Sequence, residues 1–140
     1  MEISVIDASN YFKGLLLLIR KDHRITDNET AMIARVGKQL GFEKEFCDTA
    51  IHEILKNRYI EDIPPLFSSR ELAMMFVRDG LALAYADGKL DYKEEKWLRS
   101  VVDRNSLSRR WFVGELLNAS ATGMQTGHLE ADELSVAPSS

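Results

Sequence analysis

The helix corner at residues 86–95 constrains the fold more than any other stretch of the chain. It reads Ala-Asp-Gly-Lys-Leu-Asp-Tyr-Lys-Glu-Glu. The Asp87-Gly88 pair favours a turn, because glycine tolerates the positive φ that follows a helix end. Asp91 is suited to cap a new helix, and Glu94 stands three residues later, where its carboxylate can reach back to the N–H of the cap residue. The stretch therefore predicts a helix, a tight corner and a second helix.

A fainter copy of this corner lies 65 residues earlier, the distance from Asp22 to Asp87. The same offset pairs Glu29 with Glu94 and aligns apolar positions without a gap between residues 11 and 51. Because any two amphipathic helix pairs share a period, the apolar matches alone mean little. An Asp, a basic residue, an aliphatic residue and a Glu in fixed order are more specific. We predict two similar three-helix units, at about residues 8–57 and 68–117, related by pseudo-twofold symmetry with their apolar first helices at the centre.

Capping signals and apolar stripes predict six helices. Capping-box spacing occurs three times, at Thr26–Glu29, Ser68–Glu71 and Asp91–Glu94. The expected helices span about residues 8–21, 26–40, 43–57, 68–86, 92–104 and 108–117. The third is expected to turn one apolar face inward, made of Phe46, Ala50, Ile51, Ile54 and Leu55.

The fold class predicted is all-α, a six-helix bundle in one domain. Pro64-Pro65 exclude helix from the long internal connection, which separates the two repeats within residues 1–117. From Asn118 the sequence turns to Ala, Ser, Thr and Gly and contains no aromatic residue. Such a composition favours disorder, so residues 118–140 are expected to form a disordered tail.

Composition and charge narrow the classes of function and the location. The net charge is -4, and three acidic residues of the expected tail (Glu130, Asp132 and Glu133) leave the body close to neutral, so no field points to nucleic acid. The single cysteine, Cys47, excludes an internal disulfide and favours a reducing compartment, hence the cytoplasm. The sequence begins without a signal-peptide pattern and holds no run near the ~20 apolar residues of a transmembrane segment.

Two stretches, residues 79–90 and 94–98, resemble the TerB-like domain of bacterial tellurite-resistance proteins. They read Asp-Gly-Leu-Ala-Leu-Ala-Tyr-Ala-Asp-Gly-Lys-Leu and Glu-Glu-Lys-Trp-Leu, and the resemblance covers about residues 8–117. The first-half corner departs from the pattern, with His23 in place of the glycine and Thr26 in place of the second aspartate. The resemblance implies an all-helical, non-enzymatic cytoplasmic module of the stress response that works through protein partners, often near the inner membrane. It also implies an alternative, because some relatives are proposed to bind divalent metal through acidic corners.

The candidate metal ligands are Asp87, Asp91, Glu94 and Glu95. Counted from Asp87 as the first position, the corner lacks the ligand, the glycine and the glutamate that a calcium loop has at its third, sixth and twelfth positions. Helix capping explains Asp91 and Glu94 without a metal, so we prefer the structural interpretation and no cofactor. The divalent-cation alternative then rests mainly on Asp87.

No set of residues in the sequence points to catalysis, so the predicted function is an interaction or accessory module rather than an enzyme. The alternative is a divalent-cation binder or sensor that uses the acidic corner around Asp87. The late helices are locally basic, which would suit an acidic protein partner or an anionic membrane surface. The basic residues are Lys93, Lys96, Arg99, Arg104, Arg109 and Arg110.

Overall fold

Six α-helices account for most of the described chain, which confirms the all-α prediction. The structure, a computed structural model, describes residues 1–21, 25–57, 59–87, 89–122 and 128–138, with the backbone alone at residues 87, 121 and 122. The helices are α1 Val5–Arg20, α2 Asp27–Gln39, α3 Lys44–Lys56, α4 Arg70–Ala84, α5 Tyr92–Arg104 and α6 Arg109–Thr122. Two short strands, β1 Glu2–Ile3 and β2 Ser135–Val136, pair in parallel, and 3₁₀ turns form at Tyr85–Asp87 and Glu130–Glu133.

Side-chain caps start five of the six helices, with α3 as the exception, and two of the three predicted capping boxes are confirmed. The backbone N–H of Thr26 donates to Glu29 Oε1 at 3.0 Å, and that of Asp91 donates to Glu94 Oε1 at 3.1 Å. The third prediction, at Ser68, was wrong, because Ser69 caps α4 instead. Ser68 is engaged elsewhere, since its backbone N–H and its hydroxyl both donate to the carboxylate of Asp7.

The two apolar helices, α1 and α4, pack against each other at the centre of the molecule, as expected. Both bury side chains on nearly every side. Where they meet, the rings of Tyr11 and Phe76 stand edge to face with centroids 5.3 Å apart. Around this pair, α1 also contacts α2, α3 and α5, while α4 contacts α5 and α6. Within the described residues, no helix combines the length and the apolar character needed to cross a membrane.

Helix bounds and helix contacts recur at the predicted offset. Helices α2 and α5 begin at Asp27 and Tyr92 and end at Gln39 and Arg104, so both pairs of ends are 65 residues apart. The contacts among α1, α2 and α3 have counterparts among α4, α5 and α6. Pseudo-twofold symmetry of the two units stays a prediction.

Residues 118–140 were expected to form a disordered tail, but the described parts of this stretch are folded. Helix α6 continues to Thr122, and the segment 128–138 packs on the helices, with Leu129, Ala131 and Leu134 all buried. The composition of the whole stretch favoured disorder, but these three apolar residues and the backbone hydrogen bonds of the segment hold it in place. Residues 123–127 and 139–140 lie outside the described residues.

Two non-helical segments connect the halves of the molecule. After α3, the segment 59–67 runs along α5, where the indole N–H of Trp97 donates to the carbonyl of Asp62 at 3.2 Å and Asn105 binds the backbone of Phe67. After α6, the segment 128–138 runs along α2, where Gln39 donates to the carbonyl of Leu134 at 2.8 Å. The segment that follows the first three helices therefore packs on the second three, and the segment that follows the second three packs on the first.

Candidate protein-interaction groove

The acidic corner is assembled as a helix start. Asp91 Oδ1 accepts from the backbone N–H of Lys93 at 2.7 Å, and the side chain of Glu94 is buried beneath the first turn of α5. Glu95 points away from it and pairs with Arg99 at 3.3 Å, one turn along the helix. The corner therefore does not gather Asp91, Glu94 and Glu95 around one point, and capping accounts for the first two.

The divalent-cation alternative requires several ligand side chains around one point. Across residues 1–21, 25–57, 59–87, 89–122 and 128–138, no group of three or more His, Cys, Asp and Glu side chains is placed to hold a metal ion. The side chain of Asp87, the strongest candidate of the sequence analysis, lies outside the described residues. The divalent-cation alternative stays a prediction that concerns Asp87.

An open aromatic groove lies between α1 and α3. Phe12 of α1, Phe42 and Phe46 pack together, with centroids 5.4 Å apart for Phe12–Phe42 and 5.3 Å apart for Phe42–Phe46. The groove encloses about 280 Å³, and its walls are almost entirely apolar. The remaining apolar side chains along it are Leu16, Ala50, Ile54 and Ile60.

Phe46 leaves this groove open, contrary to the sequence prediction. We expected it to face inward, but 55% of its surface is exposed, and Leu55 is 46% exposed. The core side of α3 is instead held by Cys47 and Ile54, each 3% exposed and two turns apart. Gly37 of α2 makes room for the Cys47 thiol, so Cys47 faces α2, and Phe46 lies about 100° round α3 from it because it is the preceding residue of the helix.

A basic cleft adjoins the apolar groove, and the two share Ile54 and Ile60. The cleft encloses about 390 Å³ between the end of α1, the end of α3 and the segment 59–67. Its cations come from Arg20, Lys21 and Lys93. A further cleft of about 340 Å³ continues from it, again lined by Lys21 and Lys93 and extended by Lys96.

Asp62 is the single carboxylate among the described residues that line these two clefts. Both Arg20 and Lys21 form ion pairs with it. Burial alone would raise the pKa of Asp62, but hydrogen bonds from Lys21 and Arg20 outweigh burial and hold that pKa below its usual value. Lys93 and Lys96 form no ion pair with any described residue, so the clefts keep a net positive charge.

A polar cleft on the other half of the molecule contains Asp79, a carboxylate that the sequence analysis quoted but gave no role. It is 1% exposed and accepts from the Tyr11 hydroxyl at 2.5 Å, from the Glu130 N–H at 2.6 Å and from the Ala131 N–H at 2.9 Å. Burial, opposed by these three hydrogen bonds, raises its pKa to about 6. An Asp inside an almost wholly apolar helix was the signal that could have found it, since a buried carboxylate requires partners.

Comparisons with known proteins do not assign this chain to a family. No protein-family model, no curated protein and no solved structure matches the chain significantly. Membership of the TerB-like family therefore stays a prediction based on residues 79–90 and 94–98. The groove and its clefts are the features that bear most directly on function.

Proposed function

We propose that this chain is a non-enzymatic interaction module that binds a protein partner in the groove between α1 and α3. The open aromatic floor of the groove is the observation that supports it. Phe46 rests on Phe42 at a centroid distance of 5.3 Å and still exposes 55% of its surface. A large apolar side chain left half exposed in a concave groove favours an apolar partner residue, because the pair then leaves water together.

The shape and chemistry of the groove favour a helical or extended peptide from the partner. Its apolar walls come from Phe12 and Leu16 in the middle of α1 and from apolar residues along α3, and a groove between two helices is the arrangement that receives the apolar face of an amphipathic helix. Covering the exposed part of Phe46 would contribute on the order of 1 kcal/mol, and the partner's own apolar side chains would add to that gain as they leave water.

A biological role follows from the TerB-like resemblance and belongs to the same proposal. We propose that the module serves the bacterial stress response in the cytoplasm, including positions at the inner face of the membrane. Asp79, whose pKa is raised by burial to about 6, fits a non-enzymatic assignment. Its oxygens accept hydrogen bonds from the Tyr11 hydroxyl and from the backbone of the segment 128–138, so the carboxylate holds the fold together.

A display selection on the full chain tests the groove. A random peptide library is panned against the wild-type chain, and the enriched peptides are titrated against Phe46→Glu and Leu117→Glu. Leu117 is 68% exposed on α6 and does not line the groove, so it controls for adding a charge to exposed apolar surface. We expect Phe46→Glu to weaken binding about tenfold or more and Leu117→Glu to leave it unchanged.

Two results would contradict the proposal. One is a set of enriched peptides that bind Phe46→Glu as tightly as the wild-type chain. The other is equal loss in both variants while circular dichroism shows both folded, which would indicate non-specific apolar adhesion.

A further inference from the structure

We infer that the segment received by this groove carries large apolar side chains next to a run of aspartate and glutamate. The apolar part fills the groove between α1 and α3, and the acidic part lies in the two basic clefts. This inference rests on the proposed function and names the chemistry of its partner.

The apolar groove and the basic clefts follow one another along the surface. Ile54 and Ile60 line both the groove and the first cleft, while Lys21 and Lys93 line both the first cleft and the second. Since each neighbouring pair shares two residues, a single extended segment can pass from one to the next. The order along the surface is aromatic, then aliphatic, then basic.

The charge of the clefts favours an anionic occupant. Their described linings hold four cations (Arg20, Lys21, Lys93 and Lys96) against the one carboxylate of Asp62. By contrast, the apolar groove has one charge of each sign at its rim, Lys13 and Glu53. Positive charge is therefore confined to one end of the path, and complementary charge on the partner would set the direction in which it binds.

The same features argue for a peptide over a nucleic acid or a membrane. Trp97 is the one aromatic residue among the described cleft linings, and it is 6% exposed with its N–H engaged by the Asp62 carbonyl, so it offers no face on which a base could stack. The cations line concave clefts of about 390 and 340 Å³, into which a narrow chain fits better than a broad lipid surface.

The test uses the library peptides that bind the wild-type chain and lose binding in Phe46→Glu. We expect their sequences to be enriched in Asp and Glu on one side of the apolar residues. We also expect Lys93→Glu/Lys96→Glu to weaken them about tenfold at low salt, with a smaller effect as salt is raised. The matched control is Lys38→Glu/Arg110→Glu, which changes the net charge equally at exposed sites outside the groove and clefts.

The outcomes separate this inference from the proposed function. Peptides that depend on Phe46 but carry no acidic run, or that lose as much affinity in the control as in Lys93→Glu/Lys96→Glu, would overturn the inference and leave the groove function standing. If no enriched peptide loses binding in Phe46→Glu, both the proposed groove function and this inference are wrong. Sedimentation with phosphatidylserine vesicles tests for a membrane instead of a peptide. Binding to the vesicles that is lost in Lys93→Glu/Lys96→Glu but kept in Phe46→Glu would show that the basic clefts bind a membrane surface and would overturn the inference.

Discussion

Glu94 is a buried carboxylate that caps the start of α5. Its carboxylate accepts from the backbone N–H of Asp91 at 3.1 Å, and its side chain is 3% exposed, where an acidic residue is rarely found. Glu29 does the same at the start of α2, with 1% exposure and a distance of 3.0 Å to the N–H of Thr26. Both corners therefore depend on a buried, hydrogen-bonded carboxylate at the third helical position.

Replacement of Glu94 by alanine should lower the free energy of unfolding by about 1 kcal/mol, because the N–H of Asp91 loses its acceptor. Urea denaturation followed by circular dichroism measures the change. Glu95→Ala is the control, since its partly exposed i,i+4 pair with Arg99 is worth only about 0.5 kcal/mol. Equal denaturation midpoints for Glu94→Ala and the wild-type chain would contradict the capping role.

At the scale of elements, the approach of α2 to α3 is set by Gly37. A Cβ atom at this position would lie 2.4 Å from Cys47 Sγ and 3.1 Å from Phe12 Cε1, both closer than ordinary contact. Phe12 is also part of the groove floor, so the same contact that packs the two helices determines where the aromatic cluster sits. The groove thus depends on a residue that does not line it.

We expect Gly37→Ala to destabilise the fold by about 1–3 kcal/mol through overpacking between α2 and α3. The matched substitution is Gly114→Ala in α6, where a new Cβ meets no described atom within 4 Å. There alanine should stabilise the helix by about 0.5–1 kcal/mol. Thermal melts of the two variants should therefore shift in opposite directions, and a Gly37→Ala melt at or above that of the wild type would show that α2 and α3 can separate without cost.

At the scale of the whole molecule, three parts of the chain meet at Asp79. It lies on α4, receives the hydroxyl of Tyr11 from α1, and receives two backbone N–H groups from the 3₁₀ turn Glu130–Glu133. Burial raises the pKa of the Tyr11 hydroxyl well above its usual value, and the nearby Asp79 charge adds to the rise, so Tyr11 remains the donor. One carboxylate thereby joins the two central helices to the last described segment.

The raised pKa of Asp79 makes stability depend on pH in a defined direction. Its usual value is 3.8 and its folded value is about 6, so the folded state binds the proton more tightly. The resulting stabilisation is complete below pH 3.8 and is lost as the pH rises through about 6. At about 1.4 kcal/mol per pKa unit, the wild type should lose on the order of 3 kcal/mol relative to Asp79→Asn across this window.

Denaturation of both proteins at a series of pH values measures this difference. Asp48→Asn, at an exposed position, serves as the control and should follow the wild-type curve. A constant difference between the wild type and Asp79→Asn from pH 3.8 to pH 6 would show that the Asp79 pKa is unshifted.

Local sequence determined the helices of this protein and the starts of two of them. Apolar period and caps act within one or two turns, so the bounds of α2 and α5, the capping boxes at Thr26 and Asp91, and the centrality of α1 and α4 could be predicted before any packing was known. The capping function of Asp91 and Glu94 was likewise readable from spacing alone.

Tertiary packing decided what the surface offers. Phe46 belongs to an apolar stripe by sequence, yet whether it is core or groove depends on Gly37 and Cys47, residues of two helices in contact. The basic clefts unite residues from α1, α3, α5 and the segment 59–67, and the segment 128–138 is held by a carboxylate some 50 positions earlier. Helix formation follows from near neighbours, whereas exposure follows from whichever distant residue packs against a given face, and only the folded chain establishes those pairs.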